Sequence, residues 1–361
     1  MPMPPQGDGH AAVQHAPFMI GSSGYDGTVK LFDIRTGTGS KGHPTQPSIQ
    51  INLPRKDPAT SISFGYGGAL AAVGGAKGCI YFYDLRQGGG GGGANGGNGT
   101  QVSNQHQPLG TYANSHTDEV TKLRFQPGSE GGYDTTSLLL SGSEDGLACI
   151  FDTSQPSEEK ALKSVMNVSS PLRQVGFFGP ALEGVYCLTG SESISVWHHD
   201  SAQRIYDFGT NVRSTLSSLT GGGGGSGGGI PIQYLVNCHW DGRELNLLAG
   251  NSDGVSALFR VDAGALSFKK QLNGGHRGCI RDYAVLNNGT GDCIITGGED
   301  ARMCEWTFGN GGIAPDKSSR KETTSSTDTR TGATGEERYS NTGGGKMKRS
   351  KNKKGHVPYR Y

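Results

Sequence analysis

Residues 138–155 read LLLSGSEDGLACIFDTSQ, and this stretch decides the fold. Leu138, Leu139 and Leu140 form a short apolar run. Ser141 to Gly146 are small or polar residues of the kind that build turns. Leu147, Ala148, Cys149, Ile150 and Phe151 then form a second apolar run suited to a strand. Two short strands joined through Asp-Gly describe a β-hairpin, because Gly supplies the φ > 0 backbone that tight hairpin turns need. A helix is disfavoured, since each interior Gly costs about 1 kcal/mol there.

The same plan recurs along the chain. It appears at 19–36 (MIGSSGYDGTVKLFDIRT), 70–87 (LAAVGGAKGCIYFYDLRQ), 186–200 (YCLTGSESISVWHHD), 247–262 (LLAGNSDGVSALFRVD) and 293–308 (CIITGGEDARMCEWTF). Asp26, Asp145, Asp253 and Asp300 occupy the turn, and Phe32, Phe151, Phe259 and Trp306 follow six residues later. Lys77 and Ser191 take the turn position in the other two copies, where Tyr83 and Trp197 keep the aromatic. Successive turn positions are 51, 68, 46, 62 and 47 residues apart. The two longest intervals hold the Gly-rich segments 88–107 and 214–230, expected to be exposed, flexible loops.

A further strand precedes some hairpins. The clearest cases are SHTDEVTKLRFQP at 115–127 and GGHRGCIRDYAVL at 274–286. His116 with Ser141 and Asp145, and His276 with Thr296, Asp300 and Trp306, have the chemistry for a buried hydrogen-bond relay across each unit, ending on the aromatic. Such a relay satisfies polar atoms that packing removes from water.

On these residues the chain resembles the WD-repeat family over about residues 18–308. The resemblance implies an all-β propeller with one four-stranded blade per repeat of about 40–45 residues. It also implies seven blades, of which six repeats are visible. Residues 1–17 form a short leading segment in this reading and 309–361 a disordered basic tail. Because so few residues precede Asp26, the N-terminal blade is expected to be incomplete. No outer strand is evident after Trp306, so the ring's closure stays open.

Composition excludes other classes. The chain has 361 residues, 62 of them Gly, and no Gly-X-Y period, which rules out collagen. Apolar runs are too short for a membrane-spanning helix, and the N-terminus has no basic-then-apolar leader, so a nuclear or cytoplasmic rather than secreted protein is expected. The seven cysteines are odd in number, widely spaced and free of CxxC pairs, and read as small buried hydrophobes. Formal net charge is +1, but the part from 315 onward holds 12 basic and 5 acidic residues. Its densest stretch, Lys346, Lys348, Arg349, Lys351, Lys353 and Lys354, suits nuclear import or contact with RNA.

No residue set argues for catalysis. His198-His199-Asp200 follows a strand end and reads as a loop pair. Cys238-His239 lies in the apolar run YLVNCHW and reads as structural. The Gly-rich tracts lack the Lys-Ser/Thr closure of a phosphate loop, and no motif calls for a cofactor or metal. Two segments end in aromatic-Asp-x-Arg: DGTVKLFDIR (26–35) and KGCIYFYDLR (77–86). They resemble the box of WD-repeat substrate receptors of cullin-RING ubiquitin ligases. That resemblance would make Arg35 and Arg86 docking cations, beside Asp33 and Asp84. The leading expectation is a monomeric, non-enzymatic scaffold binding proteins or peptides on the propeller faces. A ligase receptor and an RNA- or ribosome-precursor-associated factor are the alternatives.

Overall fold

The computed structural model describes residues 19–33, 46–86, 107–128, 137–221, 229–287 and 292–307. All belong to a unit spanning residues 1–316. Residues 317–361, with the basic stretch 346–354, lie outside the described residues.

The described chain is mostly strand and forms a six-bladed β-propeller. Blade 1 holds β1 (Met19–Ser23), β2 (Thr28–Asp33) and β3 (Ile49–Asn52). Blade 2 holds β4 (Ala59–Gly65), β5 (Leu70–Gly75), β6 (Ile80–Asp84) and β7 (Gly110–Tyr112). Blade 3 holds β8 (Lys122–Phe125), β9 (Leu138–Gly142), β10 (Leu147–Asp152) and β11 (Leu162–Asn167), the last preceded by a single helical turn, α1 (Glu158–Ala161). Blade 4 holds β12 (Leu172–Phe178), β13 (Gly184–Thr189), β14 (Ile194–His198) and β15 (Gln203–Asp207). After it comes α2 (Val212–Thr220). Blade 5 holds β16 (Tyr234–Trp240), β17 (Leu245–Gly250), β18 (Ser256–Asp262) and β19 (Ala265–Leu272). Blade 6 holds β20 (Ile280–Asn287), β21 (Asp292–Gly298) and β22 (Met303–Thr307).

Every pairing is antiparallel between chain neighbours, the outcome expected when each copy is a local hairpin. Strand alternation then splits each blade into two apolar faces. In β10, Cys149 and Phe151 enter a cluster with Phe82 and Tyr112 of blade 2. Ala148 and Ile150 enter the next cluster, with Val175, Cys187 and Trp197 of blade 4. Five such clusters cement the six blades, each shared by two neighbours.

The hairpin turns follow the Asp-Gly logic. Gly27, Gly78, Gly146 and Gly254 all have φ between 76° and 84°. Blades 4 and 6 use Glu192 and Ala301 at the same place, with φ of 59° and 58°, where a Cβ makes the conformation less comfortable.

One expectation needs correction. The segment 214–230 is not loop throughout, since α2 reaches Thr220 and only 222–228 lie outside the described residues. Val212, Leu216 and Leu219 recur at helical spacing. Val212 and Leu216 are buried between blades 4 and 5, and Leu219 packs against them. The Gly-run dominated the reading of this segment and hid the amphipathic turn before it. Of the other segment, 88–107, only Gln107 is described.

Candidate partner-binding face

In blades 2 to 6 the hairpin turn is locked to the loop or strand start that precedes the blade's innermost strand. Ala76 N–H donates to Pro58 O (3.0 Å), Glu144 to Glu119 O (2.9 Å), Gly190 to Pro171 O (2.8 Å) and Glu299 to Cys279 O (2.9 Å). Ser252 N–H donates instead to the Gln233 side chain (2.9 Å). These bonds fix each of the five turns against its own blade.

The relays brace two of these turns. In blade 6, His276 Nδ1 lies 3.0 Å from Asp300 Oδ1 and Nε2 lies 2.8 Å from Thr296 Oγ1. Trp306 Nε1–H donates to the same Thr296 oxygen at 2.8 Å. In blade 3, His116 Nδ1 lies 3.0 Å from Asp145 Oδ2 and Nε2 lies 2.7 Å from Ser141 Oγ. That relay does not reach its aromatic, because Phe151 has no donor. Ser141 Oγ instead makes a long 3.5 Å bond to Cys149 O. Burial pushes the His116 pKa down, against the opposing pull of Asp145. Burial also pushes Asp145 up, but the amides of Thr117 and Leu147 and the His116 ring outweigh it and hold the carboxyl low. The hydroxyls of Ser141 and Thr296 are sealed in the blades, which is no place for a nucleophile to meet substrate.

The remaining turn residues fall in different settings. Asp26 Oδ1 accepts from its own turn, from Thr28 N (3.0 Å) and Thr28 Oγ1 (2.7 Å). In blade 5 the turn is organised by Asn251, whose Oδ1 accepts from the amides of Asp253 and Val255 (both 3.1 Å). Phe259 is fully buried, while Phe32 is half-buried. Trp197 donates to Ser195 Oγ (2.9 Å), two residues back on its own strand.

Sequence reasoning missed Asp57. It sits fully buried in the loop before β4, where its Oδ1 accepts from Lys77 N (3.2 Å) and its Oδ2 from Tyr81 Oη (3.0 Å). The available signal was the pair of absences in blade 2: no His in the loop and no Asp in the turn.

In the blade 1 turn, Tyr25 is 71% exposed, and its hydroxyl donates to Glu119 Oε1 of blade 3 at 2.8 Å. That bond, with some burial and the charges of Glu119 and Glu144, pushes its pKa up to about 12. On blades 4 and 6 the acids are matched by bases, Glu192 by Arg173 (2.6 Å) and Glu299 by Arg281 (Nε to Oε1, 2.8 Å). Glu119 and Glu144 have no such base among the described residues.

Asp84 and Arg86 lie at the far end of β6. Arg86 is clamped by its own neighbour, with Nε and Nη2 at 3.0 and 2.8 Å from the two Asp84 oxygens. Asp33 ends β2, and Arg35 lies outside the described residues, so the second docking motif has no described cation. His198 closes β14, and His199 beyond it lies 3.1 Å from Asp200. Cys238 is buried, and burial pushes its thiol well up. Among the described residues no cluster of three His, Cys, Asp or Glu side chains suits a metal, and no helix is long and apolar enough to cross a membrane.

The model of the WD domain, G-beta repeat, matches residues 106–152, the stretch that carries the blade 3 relay. Residues 106–152 thus form a WD repeat. It is similar to the WD repeat-containing protein 89 homolog of Dictyostelium discoideum, 29% identical over 54% of this chain and 50% of that one. It is also similar to WD repeat-containing protein GTS1 of Arabidopsis thaliana, 27% identical over 81% of this chain and 67% of that one. The match thus spans only half the length of the first of these relatives. The WD40 β-propeller domain of Doa1 shares the fold, with a TM-score of 0.52, 17% identity and coverage of 82% of this chain and 77% of that one. The histidine, hydroxyl and aspartate sets tie the hairpin turn to the preceding loop in blades 3 and 6.

Proposed function

We propose that this chain is a non-enzymatic WD-repeat scaffold that binds protein segments on the hairpin-turn end of the propeller. The observation that carries the reading is Tyr25. A large aromatic stands exposed on the blade 1 turn, its hydroxyl fixed by Glu119 of blade 3 so that little rotamer freedom is left to lose on binding. Exposed, pre-ordered tyrosines are favoured anchors in protein interfaces. The two unmatched carboxylates beside it, Glu119 and Glu144, favour a segment carrying Lys or Arg next to an apolar residue.

The test is affinity purification from cells with quantitative mass spectrometry, comparing the native chain with Tyr25→Ala and Glu144→Lys. Partners recovered by the native chain should drop at least about tenfold with either variant, equivalent to about 1.4 kcal/mol. Equal recovery by all three forms would sink this face as the binding site.

A ligase-receptor role through Arg86 is less favoured, because that guanidinium already spends its fork on Asp84. The lysine-rich stretch 346–354 supports nuclear import or RNA contact. Its deletion distinguishes the two: a change of location with unaltered partners marks import, and loss of salt-sensitive RNA binding marks contact.

A further inference from the structure

Each blade packs a forward face on the rear face of the next, and this series has two ends. The apolar clusters join blades 1 to 2, 2 to 3, 3 to 4, 4 to 5 and 5 to 6. Among the described residues none joins blade 6 to blade 1. One forward face, on blade 6, and one rear face, on blade 1, are therefore left over.

The forward face of blade 6 is open where its counterparts are sealed. Strand pairing puts Ile295 opposite Glu305 and Gly297 opposite Met303, as it puts Leu140 opposite Ile150 and Gly142 opposite Ala148 in blade 3. Leu140, Ala148 and Ile150 are fully buried in the cluster shared with blade 4. Met303 is 79% exposed, Glu305 is exposed and Ile295 is half-buried. A Cβ on Gly142 would come within 2.8 Å of Val175 of blade 4, whereas one on Gly297 meets nothing within 4 Å. The space is a groove of about 510 Å³, and its lining, which includes Ala284, Ile295, Gly297 and Met303, comes wholly from blade 6.

The rear face of blade 1 is open in the same way. Leu31 belongs to the cluster shared with blade 2, and a Cβ on Gly21, its cross-strand partner, would meet Phe64 of that blade at 2.6 Å. Alternation puts Ile20, Ser22, Lys30 and Phe32 on the opposite face. Their counterparts in blade 3, Leu139, Ser141, Cys149 and Phe151, are fully buried. Ile20 is 57% exposed and Phe32 half-buried. Exposed apolar surface of this kind marks an interaction site.

The two faces are complementary in charge as well as in plan. Glu305 stands on the forward face, where its Oε1 accepts only from the Cys293 thiol among the described residues, at 3.3 Å. Lys30 stands on the rear face, and among the described residues its ammonium has no hydrogen bond or ion pair. At interior joints the residues in these two places share one cluster: Leu31 with Tyr81, Phe82 with Cys149 and Val196 with Ala257.

We propose that a second copy of this chain seats the rear face of its blade 1 on the forward face of blade 6, in place of the monomer expected from the sequence. Ile20 and Phe32 cover Ile295 and Met303, and Lys30 meets Glu305. The contact is head-to-tail, so each copy keeps its other face free for a further copy.

The experiment is sedimentation equilibrium of the full chain from about 1 to about 100 μM, a range that shows micromolar self-association. The expected result is a mean mass above that of one chain and rising with concentration. Lys30→Glu and Glu305→Lys are each expected to weaken association at least about tenfold through like charges at the joint. An equimolar mixture of the two variants should regain it, because each chain then meets an opposite charge at both faces. Lys77→Glu, on the exposed blade 2 turn, should change nothing. Melting temperatures certify that each variant folds. A single-chain mass at every concentration would overturn the proposal and leave both faces to another protein or to another part of this chain. Association that ignores both charge reversals, or a mixture no stronger than either variant alone, would overturn it too.

Discussion

Blades 6 and 2 solve one problem with opposite residues. Both must tie the hairpin turn to the loop before the inner strand. Blade 6 puts a histidine in the loop and a carboxylate in the turn, His276 and Asp300, and extends the chain of bonds through Thr296 to Trp306. Blade 2 puts the carboxylate in the loop, Asp57, and meets it with a backbone amide and a phenol, Lys77 N and Tyr81 Oη. In each case a glycine at the start of the turn makes the space. A Cβ on Gly298 would come within 2.7 Å of His276 Nδ1, and one on Gly75 within 2.2 Å of Asp57 Oδ2. The lesson is that the blade conserves a buried acceptor–donor tie and a cavity for it, while the residue types that supply the tie are exchangeable.

The largest effect expected from breaking this comparison lies in blade 2. Asp57→Ala strips a carboxylate acceptor from two donors, one of them a buried phenol. Urea denaturation should show a loss of about 3 kcal/mol, because unpaired buried donors and lost charge-assisted bonds add. A loss under about 1 kcal/mol would mean that water replaces the carboxylate without cost and that blade 2 has no real counterpart to the relay.

Next in size is the contrast between the two histidine relays. Thr296 Oγ1 serves both His276 and Trp306, whereas Ser141 Oγ serves His116 and only a long second bond. Thr296→Val is expected to cost about 2–3 kcal/mol and Ser141→Ala about 1 kcal/mol. Equal costs would show that the indole bond adds nothing to blade 6.

The smallest effect is one of pH. Folding lowers the His116 pKa through burial, so below about pH 6.5 the unfolded chain takes up a proton that the folded chain resists. Stability is therefore expected to fall as pH drops from 7.5 to 5.5. Blade 2, which has no histidine in its tie, contributes nothing to that slope. Comparing denaturation midpoints of the native chain and His116→Gln checks it, since the variant should lose part of the dependence. Parallel pH profiles for the two would remove His116 as the cause.

Much of this was legible in the sequence because it is local. A hairpin is specified within about 15 residues by two apolar runs and an Asp-Gly turn, so Asp145-Gly146 and Asp253-Gly254 announce themselves. The His116 and His276 relays were legible because their members sit at recurring offsets from those turns. Asp57 was not, because its partners Lys77 and Tyr81 break the pattern. The helix α2 was hidden by the glycines that follow it. Tyr25 and Glu119, 94 residues apart, share no motif at all.

By itself the sequence determined the repeating hairpin, the blade it builds and the alternation that gives each blade two apolar faces. These follow from backbone propensity and strand period, which act between near neighbours. Only the tertiary structure decided which polar residues meet. Stacking the blades brings Asn237 against Asp282 and Tyr25 against Glu119, since inner strands and turns from separate repeats meet there. Burial there removes the water that would otherwise leave each charge indifferent to the others.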